Sequence, residues 1–531
     1  MLYGLKWLQP NKPFPPTAEK DRIERYKQNA ALFDGDQFDS SKFRHRDSTS
    51  YSIIEMYDNC ARRISKVVGN FGDVISFPVL LNYQRLMTLK MADLVCGEYP
   101  SITGADSEAN TEIRDVRESS DFDSKLFTTV IDISRYGDAV WRMYRDEETD
   151  KETFTVWDAK EWFPVVANDG TNRITHHCIC WRVNINAEDP RLPQVWELHV
   201  QIHGTAKNEW GRYTEQVYKM DGTGTQIGEM IKSEQIKTGL KGCAVQHVKS
   251  YEVSNSIYGY DDYMPLDSLL AEIMVRVSQI AAILDKHADP NITGPASMLE
   301  LDPVTGEYKL GTGKFFAINP GETPPSYMTW DGQLTASFKQ LEVLINQLYI
   351  LSEMGAALLG STDGGSQAIS GTAMRFKMVN PLAKARRISN SLTLPVKRLF
   401  ECLSRGAIAS STISIGWKDG LPDDPRENIE IAKLATGATQ MMPLEDAIRE
   451  YLNRSEEEAL LWIDKIDAEK QKAAERMLSN QNSDNSDDSK DDDNPNKPGP
   501  QDGTGVNPQA KGSETGLNNF KGLNNHKGDD K

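Results

Sequence analysis

Three soft ligands at two-residue steps, His176, Cys178 and Cys180, carry the clearest chemical possibility in the chain. On an extended strand those steps put all three side chains on one face. Imidazole and thiolate suit zinc, but a structural zinc site takes four ligands, normally with cysteines two to four residues apart. The other cysteines stand at 60, 96, 243 and 402, so there is no second pair. The spacing reads as a half-buried strand in which cysteine serves as a small hydrophobe, and no metal is expected.

Lys309-Leu-Gly-Thr-Gly-Lys-Phe315 has the glycines and lysine of a phosphate-cradling loop. Tyr308 occupies the place of that loop's first glycine, and Phe315 replaces the hydroxyl residue that would bind magnesium. A hairpin turn fits better. Gly222-Thr-Gly224 with Gly228 misses the dinucleotide spacing, and no Gly-x-Ser-x-Gly elbow has a strand-to-helix context. The carboxylate pairs Asp261-Asp262 and Asp423-Asp424 occur in a chain with 78 acids and 60 Lys or Arg, where such pairs are usually solvated turns or caps. No catalytic constellation and no cofactor site emerges, so an enzyme is not expected.

The charge of −18 argues against a protein that grips nucleic acid through a broad basic face. It is compatible with a channel wall from which phosphate is repelled. The six cysteines do not form a disulfide scaffold, which points to folding in a reducing cytoplasm. The first ten residues have too short an apolar run for a signal peptide. No stretch reaches the eighteen or so uncharged apolar residues of a membrane span, so no membrane is expected as a partner.

The elements that would position these residues follow from periodicity. A helical stripe runs through Leu266, Leu269, Leu270, Ile273, Met274, Val277, Ile280, Ala281 and Leu284. From Ala288 to Trp330 the chain turns to Pro, Gly, Thr and short β-formers. A second stripe follows at Leu334, Phe338, Leu341, Leu344, Ile345, Leu348, Leu351, Gly355 and Leu358. The first helix would be roughly 33 Å long at about 1.5 Å per residue. Then comes Gly360-Ser-Thr-Asp-Gly-Gly-Ser-Gln-Ala-Ile-Ser-Gly371, and after it a basic helix with Arg375, Lys377, Lys384, Arg386, Arg387, Lys397 and Arg398. A kink is expected at Pro381, which lacks an amide hydrogen.

Before this unit, helices are expected from Ala18, from Pro78 through Val95, and as one continuous helix from about Ser107 to Ser134. Strands are expected at 139–144, 154–157, 175–183, 195–200 and 215–218, with Asp221–Thr225 as a turn. After the basic helix, 412–417 reads as a strand, and 425–435, 443–452 and 455–477 as helices. The chain is then Asn, Asp, Ser, Gly, Pro and Lys, with too few apolar residues to order it.

Tyr136-Gly-Asp-Ala-Val140, Tyr258-Gly-Tyr-Asp-Asp-Tyr263 and Ser370-Gly-Thr-Ala-Met-Arg375, in this order and spacing, resemble bacteriophage portal proteins of the type with a wing, a two-helix stem and a crown. The resemblance implies an α+β, portal-type fold. Its divisions would be an arm at 1–16, a wing at 17–257, stem helix 1 at 258–288 and a clip at 289–330. Stem helix 2 would be 331–359, a tunnel loop 360–371, and a kinked helix with a return strand 372–424. A crown at 425–477 and a disordered acidic tail at 478–531 complete the chain.

The resemblance also implies a function. It is a homo-oligomeric ring, usually dodecameric, at one capsid vertex of a virion assembled in the host cytoplasm. Double-stranded DNA passes along its axis in packaging and ejection. Its expected partners are the terminase large subunit, a connector or adaptor protein, and the major capsid and scaffolding proteins. Ser361, Thr362, Gly364, Gly365, Ser366 and Gln367 would face DNA from the tunnel loop. Arg375, Lys377 and Lys384 are candidates on the basic helix, where pairing with acids of a neighbouring subunit is the commoner expectation. Two other classes fit less well: an α+β enzyme acting on nucleic acid, which needs clustered His or carboxylates, and a non-viral helical scaffold or adaptor, which needs no pore.

Overall fold

The computed structural model describes residues 3–37, 79–189, 191–288, 334–360, 375–418, 425–437, 440–452, 454 and 456–483, and between 289 and 333 the short pieces 292–293, 299–301, 303, 308–310, 321 and 326–327. The chain divides into a unit of residues 1–424 and a unit of 425–531.

In the first unit, helix α1 (Lys20–Asp34) buries Ile23, Tyr26 and Leu32 and stops at Gly35, whose left-handed backbone returns its N–H to the Ala31 carbonyl at 3.1 Å. Helix α2 (Tyr83–Cys96) starts where the Asn82 side chain accepts the Arg85 amide at 2.9 Å. The helix expected over 107–134 is two helices, α3 (Ser107–Ser119) and α4 (Phe122–Tyr136). Asp121 between them is left-handed at φ 50°, and the Arg117 guanidinium crosses the break to Asp123 at 2.8 Å. An ion pair thus ties together two helices whose sequence has neither Gly nor Pro to mark the division.

Strands follow. A three-stranded antiparallel sheet has the order β3 (Glu152–Trp157), β2 (Asp138–Arg145), β9 (Val245–Lys249). A five-stranded antiparallel sheet runs β4 (Trp162–Val166), β5 (Ile174–Asn184), β6 (Trp196–Gly204), β7 (Arg212–Met220), β8 (Ile227–Lys237). Pro164 is tolerated because β4 is an edge strand. The segment expected as an arm packs across this sheet from its third residue on. Leu5, Leu8 and Phe14 pack on Phe163, Cys178, Cys180 and Val200, and Phe14 donates its amide to the Thr225 carbonyl at 2.8 Å.

The main core joins α2, α3, α4, β2 and β3 to helix α5 (Asp267–Ala288) and helix α8 (Val379–Leu403). Within it Trp141 meets Phe154, and Phe122 meets Phe400, edge to face, and Trp141 donates its indole N–H to Thr129 at 2.8 Å. Burying each such ring contributes about 1.5–3 kcal/mol. The strand expected at 412–417 is shorter: β14 (Ser414–Gly416) pairs antiparallel with β1 (Ser101–Thr103), closing the return of the chain onto this body.

Helix α5 leads to short antiparallel pairs, β10 (Ile292–Thr293) with β13 (Ser326–Tyr327) and β11 (Leu299–Leu301) with β12 (Tyr308–Leu310). β12 takes in Lys309 and Leu310 of the Lys309–Phe315 segment; residues 311–315, with its glycines, lie outside the described residues. The chain returns along helix α6 (Leu334–Leu351), which packs on α5. The expectation of one helix over 331–359 fails here. Ser352 to Met354 bend, Glu353 takes φ 59°, and a separate turn of helix, α7 (Gly355–Leu358), follows. Residues 375–377 are a helical turn, and the break before α8 falls at Met378. It lies next to the Lys377 carbonyl that Pro381 cannot engage. Pro395 sits inside α8, a feature not anticipated.

The second unit holds α9 (Pro425–Ala435), α10 (Leu444–Tyr451) and α11 (Glu456–Ser483), with Ala447, Ile448 and Ala459 buried. Helix α11 continues to Ser483 and so takes in the first six residues of the disordered tail expected from 478; residues 484–531 of that tail lie outside the described residues.

Candidate functional site

The two motifs Tyr136–Val140 and Tyr258–Tyr263, more than a hundred residues apart, meet in the fold. Gly137 ends α4 at φ 81°, and a Cβ there would stand 2.6 Å from the Tyr260 backbone. A Cβ on Gly259 would stand 2.0 Å from the Gly137 carbonyl oxygen. Only two glycines allow this approach of main chain to main chain.

Around this contact the polar groups close on one another. Asp138 is fully buried and accepts from the Gly259 amide at 2.8 Å, from His247 Nε2 at 2.6 Å and from the Tyr26 hydroxyl. Ser250 accepts the Tyr260 amide at 3.0 Å and donates to the Tyr260 carbonyl at 2.9 Å. Asp261 accepts the amides of Tyr263 at 3.0 Å and Met264 at 2.8 Å. Arg25 spans Asp261 and Asp267, both at 2.8 Å. Asp262 takes Ser134 Oγ and Lys384 Nζ, each at 2.7 Å. Thr88 bonds the Tyr263 hydroxyl at 2.7 Å. The loop before α5 is thereby tied to α1, α2, α4, β2 and α8 at once.

Burial pushes the Asp267 carboxyl up to about 7 even though Arg25 opposes it, and its Oδ1 has no hydrogen-bond partner. Burial also raises the phenols of Tyr26, Tyr258 and Tyr263, which stay neutral. Asp261 does hold a turn, but the Asp261-Asp262 pair is not solvated: the two side chains are 8% and 18% exposed and both are ion-paired. Every group here already serves a structural partner, and none is paired as nucleophile and base. What the arrangement can do is transmit force: a set of buried, charge-assisted bonds fixes the head of α5 to the α+β body.

The other sequence candidates fall as follows. Cys178 and Cys180 lie wholly buried among Leu5, Phe14 and Leu198, where burial raises both thiols far above the range in which a thiolate forms. His176 faces Glu209 at 3.6 Å instead. Among the described residues no group of three or more His, Cys, Asp or Glu could hold a metal ion. Asp221 holds its turn by accepting the amides of Thr225 at 2.7 Å and Gln226 at 2.8 Å. Ser361, Thr362, Gly364, Gly365, Ser366 and Gln367 lie outside the described residues. Arg375 and Lys377 are exposed at the approach to α8. Lys384 is not on that surface. It is 8% exposed and bonded to Asp262, and to the Ser352 carbonyl at 3.2 Å, so its partners are in its own chain. Arg387 likewise pairs with Glu353. Arg25, Asp138 and Ser250 were not singled out from the sequence. The glycines at 137 and 259 were the only signal that two backbones must touch.

The profile of the family described as phage portal protein, SPP1 Gp6-like, matches residues 79–476, which is 398 of the 531 residues. The chain belongs to this portal family. The match begins just before α2 and ends within α11, so it takes in the junction, the α5–α6 pair and α8. No curated protein matches. Among solved structures, the chain is similar to one from the virion of a native gene transfer agent particle, at 12% identity and TM-score 0.40, over 75% of this chain and 94% of that one. It is also similar to one from the neck of an empty gene transfer agent particle, at 11% identity and TM-score 0.42, over 73% and 92%. Portal membership gives the chain a structural, connector role and accounts for a site made of ties without catalytic pairs.

Proposed function

We propose that copies of this chain close into a ring, usually of twelve in the family, at one vertex of a capsid, and that double-stranded DNA is packaged and ejected through its axis. The observation that carries this reading is the α5–α6 pair. Helix α6 buries Leu348 but leaves Phe338, Val343, Ile350 and Leu351 between 48% and 64% exposed. So large an apolar fraction facing water on one short helix marks an interaction surface. Identical copies placed side by side around a closing rotation cover it.

In this reading α5 and α6 are the stem and 289–330 is the clip, which docks the terminase large subunit and later the connector protein. The body of 17–257 with the return strand is the wing, facing the major capsid and scaffolding proteins. The segment 360–371 narrows the channel, and residues 425–477 form the crown. The head of α5 must then carry load between wing and stem, which is the service the buried junction performs. The net charge of −18 keeps the passing polyanion from sticking. Electron microscopy of the purified chain tests the reading. Rotationally symmetric rings with an axial hole are expected; compact single copies would refute it.

A further inference from the structure

The apolar steps Leu344, Leu348, Leu351, Gly355 and Leu358 continue at helical spacing straight through the point where α6 stops. The chain bends there nonetheless. Glu353 adopts φ 59°, a left-handed backbone unfavourable for a residue with a Cβ. Gly355, left-handed at φ 67°, permits a break here, but a left-handed Glu353 inside a continuing apolar stripe is unfavourable, so something outside α6 holds the bend.

That something is α8. Lys384 Nζ donates to the Ser352 carbonyl at 3.2 Å while pairing with Asp262 at 2.7 Å. Arg387 holds the Glu353 carboxylate. Gly355 rests near the Lys377 carbonyl and the Pro381 ring, 3.7 and 3.9 Å from where its Cβ would be. One buried ammonium therefore touches the lead-in to α5, the exit of α6 and the front of α8. Beside it lies an open cavity of about 580 Å³ lined by Tyr251, Asp262, Leu351, Glu353, Lys384 and Arg387. There is room for the bend to move.

We propose that Ser352–Met354 is a two-state elbow. Lys384 latches it in the bent form. When the ammonium leaves the Ser352 carbonyl, the elbow straightens and α6 runs on through Leu358 as one helix. In the bent form Met354 caps α7, and the N–H groups of Gly355, Ala356 and Ala357 have no helical carbonyl four residues back. In the straight form they gain the carbonyls of Leu351, Ser352 and Glu353. The front of α8 meanwhile loses the cover of α7. The device needs no ring, so it stands or falls apart from the proposed assembly.

Hydrogen–deuterium exchange of the full chain carrying Lys384→Met tests this. Exchange at 355–357 is expected to slow at least fivefold while exchange at 382–385 speeds up at least fivefold. Loss of packing alone would speed both, and a passive Lys384 would change neither; either result overturns the proposal. If Lys384→Met does not fold, Asp262→Asn serves. It keeps an acceptor for Ser134 but takes the charge from the ammonium, and the same opposite shifts, smaller in size, are expected. Any other pattern in that variant also overturns the elbow.

Discussion

Gly137 and Gly259 touch main chain to main chain, with the Gly137 carbonyl oxygen 2.0 Å from where a Gly259 side chain would begin. No rotamer change relieves that overlap, because both partners are backbone. Gly259→Ala must therefore push the α5 lead-in away from Asp138 and Ser250. A loss of about 1–3 kcal/mol, the usual range for overpacking, is expected in urea unfolding. Gly222→Ala, with nothing within 4 Å, is the control and should be near neutral. Equal effects of the two would show that the contact is not tight.

Asp267 gives the junction a pH signature. Its folded value of about 7 lies above the ordinary carboxylate range, so the folded chain holds a proton that the unfolded chain releases. The contribution is complete below the unfolded value and is lost as pH rises through about 7. Against Asp267→Asn, which cannot titrate, the native chain should lose relative stability over that window at up to about 1.4 kcal/mol per pH unit. Urea midpoints of both proteins at several pH values between 4 and 8 measure it. A flat difference would mean that Arg25 keeps Asp267 ionised throughout.

The five-stranded sheet predicts the opposite trend. His177 and His203 are buried, and burial lowers both to about 3. His177 accepts the Trp162 indole N–H through Nδ1 at 3.1 Å, while neither nitrogen of His203 has a hydrogen-bond partner. Their neutral forms contribute stability that is complete above the unfolded value near 6.5 and is lost as pH falls toward 3. His203→Phe keeps the stacking on Tyr213 and removes a group that must charge. It should shallow the loss of stability between pH 7 and 5, read by tryptophan fluorescence in urea. An unchanged slope would place the acid sensitivity elsewhere.

Cys178 and Cys180 offer a test of chemistry against packing. As core side chains they should tolerate removal of metal: a strong chelator should leave the melting temperature unmoved. Cys178→Ser, which puts a hydroxyl into an apolar shell, should cost about 1–3 kcal/mol. A chelator-dependent melt would restore the zinc reading.

Much of the architecture was legible because burial repeats along the chain. The Leu266–Leu284 stripe became α5, and five of the strands stand where alternation put them. β8 was missed because most of its residues face water and it shows no alternation, and β4 because Pro164 interrupts it. The α3–α4 break turns on the Arg117–Asp123 pair and the α6 elbow on Lys384 as well as Gly355, and an apolar stripe reports none of these. The junction was least legible. Arg25 meets Asp261 across 236 residues, and no periodicity reports a pairing of that range. A neighbouring subunit's acid is the partner expected for Lys384 for the same reason: its partners, Asp262 and Ser352, become neighbours only in the fold.

The central claim is that the exposed face of α6 is covered by another copy of the chain. Sedimentation velocity of the native protein beside Val343→Lys/Ile350→Lys tests it, since both positions face water and their replacement leaves the single chain's core intact. The native protein should sediment as a closed oligomer of defined mass and the variant as a 59.5 kDa single chain. A native protein that stays single at high concentration, or a variant that assembles unchanged, would contradict the account.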